Sequence, residues 1–187
     1  MTMTRIAITG GIGSGKSFVC RLLERRGIKI YDCDSAAKRI MITSPEVIKA
    51  LTALIGSSAY VDGKINKPVL AEYLLASADN ANRINSIVHP AVAADFMSSD
   101  YNWMECAILF TSGFDSYADR VICVTAPRNL RIDRIMRRDS ITKQKAEEWI
   151  DCQMSQDDVV RRSDFEIVND GIQALEPQID RILRLLK

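Results

Sequence analysis

The chain has 187 residues, enough for one domain, or a core with one sizeable insertion, around a real hydrophobic core. Apolar side chains make up 47% and charged ones 26%, and 25 basic against 24 acidic residues leave a net charge of +1. This balance argues against membrane, collagenous and disordered classes, and it supplies no long-range attraction to nucleic acid, so none is expected as a partner.

Five cysteines are spread along the chain without a C-x-x-C pair, and their odd number points to free thiols in a reducing compartment. No apolar run reaches the length of a secretory signal or a membrane span, so a cytoplasmic protein is expected.

In chain order, Arg5 to Thr9 reads as a short strand that runs into a glycine loop. Val19, Leu22 and Leu23 then recur at helical spacing between Lys16 and Arg26, and Gly27 stops that helix. Ile28 to Tyr31 reads as a second strand, parallel to the first through a right-handed crossover, and it ends in Asp32-Cys33-Asp34. From Ser35 to about Asp100 the pattern is mostly helical, with Ser44 as N-cap before Pro45, Gly56 as a stop, Asp62-Gly63 as a turn and His89-Pro90 as a junction between helices. So long a connection between sheet strands predicts an inserted helical subdomain.

Strand character returns in MECAILF (Met104 to Phe110) and RVICVT (Arg120 to Thr125), each apolar enough for a covered parallel sheet. Pro127 to Arg138 predicts a helix, Ser140 to about Arg162 a polar helical segment, and Phe165 to Val168 a last strand. Asn169-Asp170-Gly171 then turns into a terminal helix ending at Leu186. The sum is an α/β three-layer sandwich with a parallel sheet of about five strands, a core at 1–34 and 103–187, a helical insertion at 35–102 and a lid at about 139–162.

Gly10 to Ser17 fits G-x-x-x-x-G-K-[ST], between a predicted strand and a predicted helix, as phosphate binding by backbone amides and a helix N-terminus requires. Lys16 is expected to reach the β and γ phosphates of ATP, and the Ser17 hydroxyl to bind Mg²⁺. The nucleotide-binding set is Gly11, Gly13, Ser14, Gly15, Lys16, Ser17 and Phe18.

The loop leaves the acceptor undecided. A guanine-reading N-K-x-D is absent, since Asn66-Lys67-Pro68-Val69 has valine at the carboxylate position, and MECAILF runs into Thr111 rather than an acid. The helical insertion and a late arginine-rich segment favour a small-molecule kinase. Asp32 or Asp34, just past the second strand, could orient an acceptor hydroxyl and take its proton, or Asp34 could simply cap the following helix. Arg128, Arg131, Arg134 and Arg138 share one helix face, which is usually a solvated face. Arg134, Arg137 and Arg138 also stand where guanidinium groups could meet a transferring phosphoryl group. His89, the only histidine, reads as a structural residue at a helix end, and Trp103 and Trp149 as anchors for a strand and for the lid.

Taken together, ITGGIGSGKS, YDCDSAAKRI, IVHP, AILFTSGFD, RIMRRD and SDFEIVNDG, in this order, resemble the dephospho-coenzyme A kinase family over essentially the whole chain. The resemblance implies transfer of the ATP γ-phosphoryl group to the ribose 3′-hydroxyl of dephospho-CoA, the last step of coenzyme A synthesis, with Mg²⁺, in a monomer or small homo-oligomer. It implies a catalytic set of Asp34, Lys16 and Arg138, with Asp32 and His89 on the acceptor side. The chain departs from the family pattern at Phe18 for a usual threonine, Thr111 for a glutamate, Arg131 for a glutamine and Trp149 for a lid arginine.

Overall fold

A computed structural model describes residues 4–186. The elements follow as β1 (Ile6–Thr9), α1 (Lys16–Glu24), β2 (Ile30–Asp32), α2 (Cys33–Thr43), α3 (Pro45–Ile55), β3 (Tyr60–Val61), β4 (Lys64–Ile65), α4 (Lys67–Ala76) and α5 (Ala78–Ser98). Then come β5 (Trp103–Glu105), β6 (Arg120–Thr125), α6 (Arg128–Asp139), α7 (Lys143–Asp151), α8 (Gln156–Arg161), β7 (Phe165–Val168) and α9 (Leu175–Leu185). They form two compact units, Asp32–Asp100 and the remainder.

In the larger unit a five-stranded sheet has the order β2-β5-β1-β6-β7, and β1 runs parallel to both β5 and β6, as β7 does to β6. All four residues of β1 are buried, as expected of a central strand covered on both faces. Ile6, Ile8, Ile122, Val124 and Ile167 of the sheet pack with Val19, Leu22 and Leu23 of α1 and with Ile179 and Ile182 of α9. A second cluster joins α6 to α7 through Ile132, Ile135, Ala146 and Ile150, with Trp149 against it. Trp149 therefore helps to fix α7 against α6.

Two strands differ from the sequence reading. The fifth strand stops at Glu105, and residues 107–113 are turns, closed by Ser112 N–H to the Ile108 carbonyl and Phe114 N–H to the Leu109 carbonyl. The run Cys106 to Phe110 is apolar because parts of it are buried, Leu109 to 1% exposure, and not because it is extended. The second strand begins at Ile30 and ends at Asp32, so α2 starts at Cys33 rather than Ser35.

In the helical unit the Ser44 hydroxyl accepts the Val47 N–H, with Pro45 at the first helical position, as expected. Asp62 and Gly63, both at positive φ, form the two-residue turn between β3 and β4. His89-Pro90 is no junction, because α5 continues through it. Proline removes one backbone hydrogen bond there, a cost of ~3 kcal/mol in a helix interior. Burial of Ile84, Val88, Val92 and Phe96 along the same helix contributes about 6 kcal/mol or more in the opposite direction.

Candidate active site

β1 hands the chain to a tight loop that ends where α1 begins at Lys16. Gly10, Gly13 and Gly15 have φ of 143°, 78° and 93°. Their lack of a side chain is required by the protein as well as by any ligand. A Cβ on Gly10 would lie 2.2 Å from the Val124 carbonyl oxygen, and one on Gly13 2.7 Å from the Arg131 carbonyl oxygen. Gly10→Ala should therefore destabilise the fold by ~3 kcal/mol or more, combining left-handed strain with a backbone clash. Gly56→Ala, at φ 112° in open space, should cost about 1–2 kcal/mol. Urea unfolding of the two variants checks the contrast.

The loop carbonyls are held from α6 and the end of β7. Arg131 Nε donates to the Ile12 carbonyl at 2.9 Å. Arg134 Nη1 donates to the Gly13 and Ser14 carbonyls at 3.2 Å each, and its Nη2 to the Asn169 carbonyl and Oδ1 at 3.1 and 3.2 Å. Asn169 Nδ2 completes the frame, donating to the Ser14 carbonyl at 2.8 Å. On the other side, the Ile12 N–H donates to Gln153 Oε1 at 2.8 Å, from the connection between α7 and α8. These bonds occupy the carbonyls of Ile12, Gly13 and Ser14, so that none of the three competes for the groups an anion would use.

Ser17, in the first turn of α1, donates from Oγ to Glu105 Oε1 at 3.4 Å. Glu105 is an acid at the end of a sheet strand that the sequence reading passes over, while Thr111 remains without a carboxylate. The signal of Glu105 is present, an acidic residue ending an apolar strand, but it is hidden inside a run that reads as continuous. Thr111 lies on the turn segment, where its hydroxyl donates to the Ile108 carbonyl. Thr9, Gly10 and Gly11 border a small cleft of about 110 Å³ together with residues 107–111 and 152–154.

Burial, and after it the charge of Glu105, pushes the Cys20 thiol far above its ordinary range, and burial raises Cys123 to about 12. Neither is a nucleophile at neutral pH.

Of the expected nucleotide set, Gly11, Gly13, Gly15, Lys16 and Ser17 all lie on this loop or the first turn of α1. Ser14 is fully buried, its N–H closing a turn to the Gly11 carbonyl, and its Oγ has no hydrogen-bond partner among the described residues. Phe18 is on the exposed side of α1, with its N–H on the Gly15 carbonyl and the Arg21 guanidinium 5.6 Å over its ring.

Arg138, in the last turn of α6, pairs with Asp139, Nε and Nη2 donating to the carboxylate at 2.7–3.1 Å. The residue after this pair, Ser140, has φ 54°. Arg128 holds Asp151 of α7 through two bonds of 2.7 and 2.9 Å. Thus the arginine face of α6 divides into loop holders and carboxylate partners, which spacing alone does not separate.

In the helical unit, the helix-capping role considered for Asp34 belongs to Asp32. Its Oδ1 accepts the Ser35 N–H at 3.0 Å and its Oδ2 the Ser35 hydroxyl at 2.6 Å. Asp34 is an exposed residue of the first turn of α2. His89 is half-buried on α5, and burial lowers its pKa.

A family model described as dephospho-CoA kinase matches residues 4–174. A dephospho-CoA kinase of Bacteroides fragilis is 40% identical, covering 97% of this chain and 92% of its own length. Among solved structures, TT1252 from Thermus thermophilus superposes with a TM-score of 0.83 at 26% identity, over 98% of each chain. The dephospho-CoA kinase of Campylobacter jejuni does so with a TM-score of 0.66 at 19% identity, over 97% of this chain and 94% of that one, a likeness of fold.

Proposed function

Since the chain belongs to the dephospho-CoA kinase family, we propose a residue-level account of how it moves the γ-phosphoryl group of ATP to the ribose 3′-hydroxyl of dephospho-CoA. The observation that carries it is the glycine loop with Lys16 and Ser17 at the head of α1 and Glu105 beside Ser17.

In this account the loop amides and Lys16 hold the β and γ phosphates, and the helix N-terminus adds its positive end. Ser17 and Glu105 would hold Mg²⁺. Their fit rests on chemistry, since a hydroxyl and a carboxylate are hard oxygen donors. Mg²⁺ characteristically takes only one or two protein ligands, with phosphate oxygens and waters completing its shell. Among the described residues no group of three or more His, Cys, Asp or Glu offers an alternative metal site. When bound, the ion supplies neutralisation of charge on the β and γ oxygens.

Asp34 orients the 3′-hydroxyl and accepts its proton as the oxygen bonds to the γ-phosphorus. The bond from that phosphorus to the bridging oxygen breaks, and ADP leaves with the electron pair. Arg138 exchanges Asp139 for phosphate oxygens as the lid, residues 139–162, moves about the turn at Ser140. The helical unit takes the acceptor, with Asp32 fixing the start of α2. His89, biased toward its neutral form by burial, contributes hydrogen bonds rather than charge. All five cysteines are free thiols, which supports a reducing, cytoplasmic setting.

The test is ADP release with ATP, Mg²⁺ and dephospho-CoA, measured against a panel of nucleosides, nucleotides and sugars. Dephospho-CoA should be turned over at least about a hundredfold faster than any other acceptor, as expected when buried polar groups read the whole substrate. Turnover of another acceptor with dephospho-CoA left unchanged would sink this account.

A further inference from the structure

Arg131 of α6 is a buried charged group that the mechanism above does not use. Arg131 is only 5% exposed, and among the described residues it forms no ion pair, the carboxylate facing this side of α6 being paired with Arg128 instead. Asp151, whose charge it feels, is already held by two bonds to Arg128. Arg128 in turn repels it, and burial and that repulsion both lower the Arg131 pKa. A buried cation without an acid is unfavourable, and an anion bound nearby would offset that cost.

Its position says which anion. One of its donors, Nε, is spent on the Ile12 carbonyl. The remaining guanidinium atoms lie against Gly11, where a Cβ would stand 2.3 Å from Nη2 and 3.2 Å from Nη1. Gly11, lacking a side chain, thus lets this charge lie directly against the backbone of the loop that takes the phosphates. The low dielectric of a buried site lets a full charge act across such a distance.

Resting on the reading that the loop binds a nucleoside triphosphate, we propose that Arg131 is a built-in countercharge for the nucleotide's phosphates. It is destabilising in the empty protein and compensated when ATP binds. A charged side chain at this position couples ATP occupancy to the protein's own stability more strongly than a neutral amide of similar shape would allow.

Arg131→Gln and Arg131→Lys test this by calorimetric binding of ATP, ADP, AMP and adenosine, alongside melting of the nucleotide-free protein. No acceptor is present, so the outcome is independent of which molecule is phosphorylated. The glutamine variant should melt at a higher temperature when empty, yet bind ATP about tenfold more weakly or worse, with a smaller loss for AMP and none for adenosine. The lysine variant, keeping the charge, should stay within about threefold of the parent for ATP. Three results would each overturn the proposal. They are unchanged ATP binding by the glutamine variant, equal losses for glutamine and lysine, and a glutamine variant that is less stable when empty or fails to fold. The last two would make Arg131 a clamp for the Ile12 carbonyl only.

Discussion

Asp34→Asn should lower the turnover of dephospho-CoA by about two to four orders of magnitude while leaving ATP binding within about twofold of the parent, the range expected when a general base is removed. The variant isolates chemistry from folding. Asp32, not Asp34, carries the cap of α2, accepting both the Ser35 N–H and its hydroxyl. Removing the Asp34 charge forfeits only its attraction to the helix N-terminus, about 0.3–1 kcal/mol at an exposed site. Asp32→Ala is the complementary control, expected to cost about 1 kcal/mol through the lost cap. Single-turnover rates with saturating ATP separate the two. An Asp34→Asn enzyme running at the parental rate would reduce Asp34 to a first-turn acid of α2, and the proton would need another acceptor.

Where burial and extension coincide, the sequence can be read almost to the residue. β6 and β7 have the bounds expected for them, and β1 falls within its predicted run, because in a covered parallel sheet an apolar run is a strand. MECAILF breaks that equivalence. Its second half is buried in turns, and hydrophobicity reports burial without reporting backbone conformation. The error carries into the site, since it moves the expected end of the strand from Glu105 to Phe110, just before Thr111. Pro90 misleads for a related reason, because a local breaker is outweighed by the buried face of a 21-residue helix.

The arginines of α6 show a different limit. Their spacing places them on one face, and the sequence then offers solvent or substrate phosphate as what that face meets. For Arg131 and Arg134 the answer is a third partner, the carbonyls of the glycine loop. Nothing in one helix encodes which segment lies across from it. The glycines hint at it, because Gly13 and Gly15 leave room for Arg131 and Asn169 as well as for phosphate, but a glycine does not say which neighbour it admits.

Glu105→Gln should raise the Mg²⁺ concentration needed for half-maximal activity about tenfold or more and lower kcat at saturating Mg²⁺, because a neutral amide replaces the charge behind the Ser17 hydroxyl. The substituted amide would keep an oxygen that accepts from Ser17, so the hydrogen bond at that position survives and only the charge is removed. ATP binding without metal should hold steady or improve, since a carboxylate beside the loop repels the triphosphate until a cation lies between them. The opposite responses with and without Mg²⁺ distinguish a metal-organising acid from a residue that merely satisfies Ser17, whose replacement would leave both titrations alike. A cycle with Ser17→Ala extends the argument. If the two side chains serve one ion, the double variant should lose much less than the sum of the single losses. Additive losses would mean that Ser17 and Glu105 act on separate steps, and the acid ending β5 would then belong to the packing around Cys20 rather than to the metal.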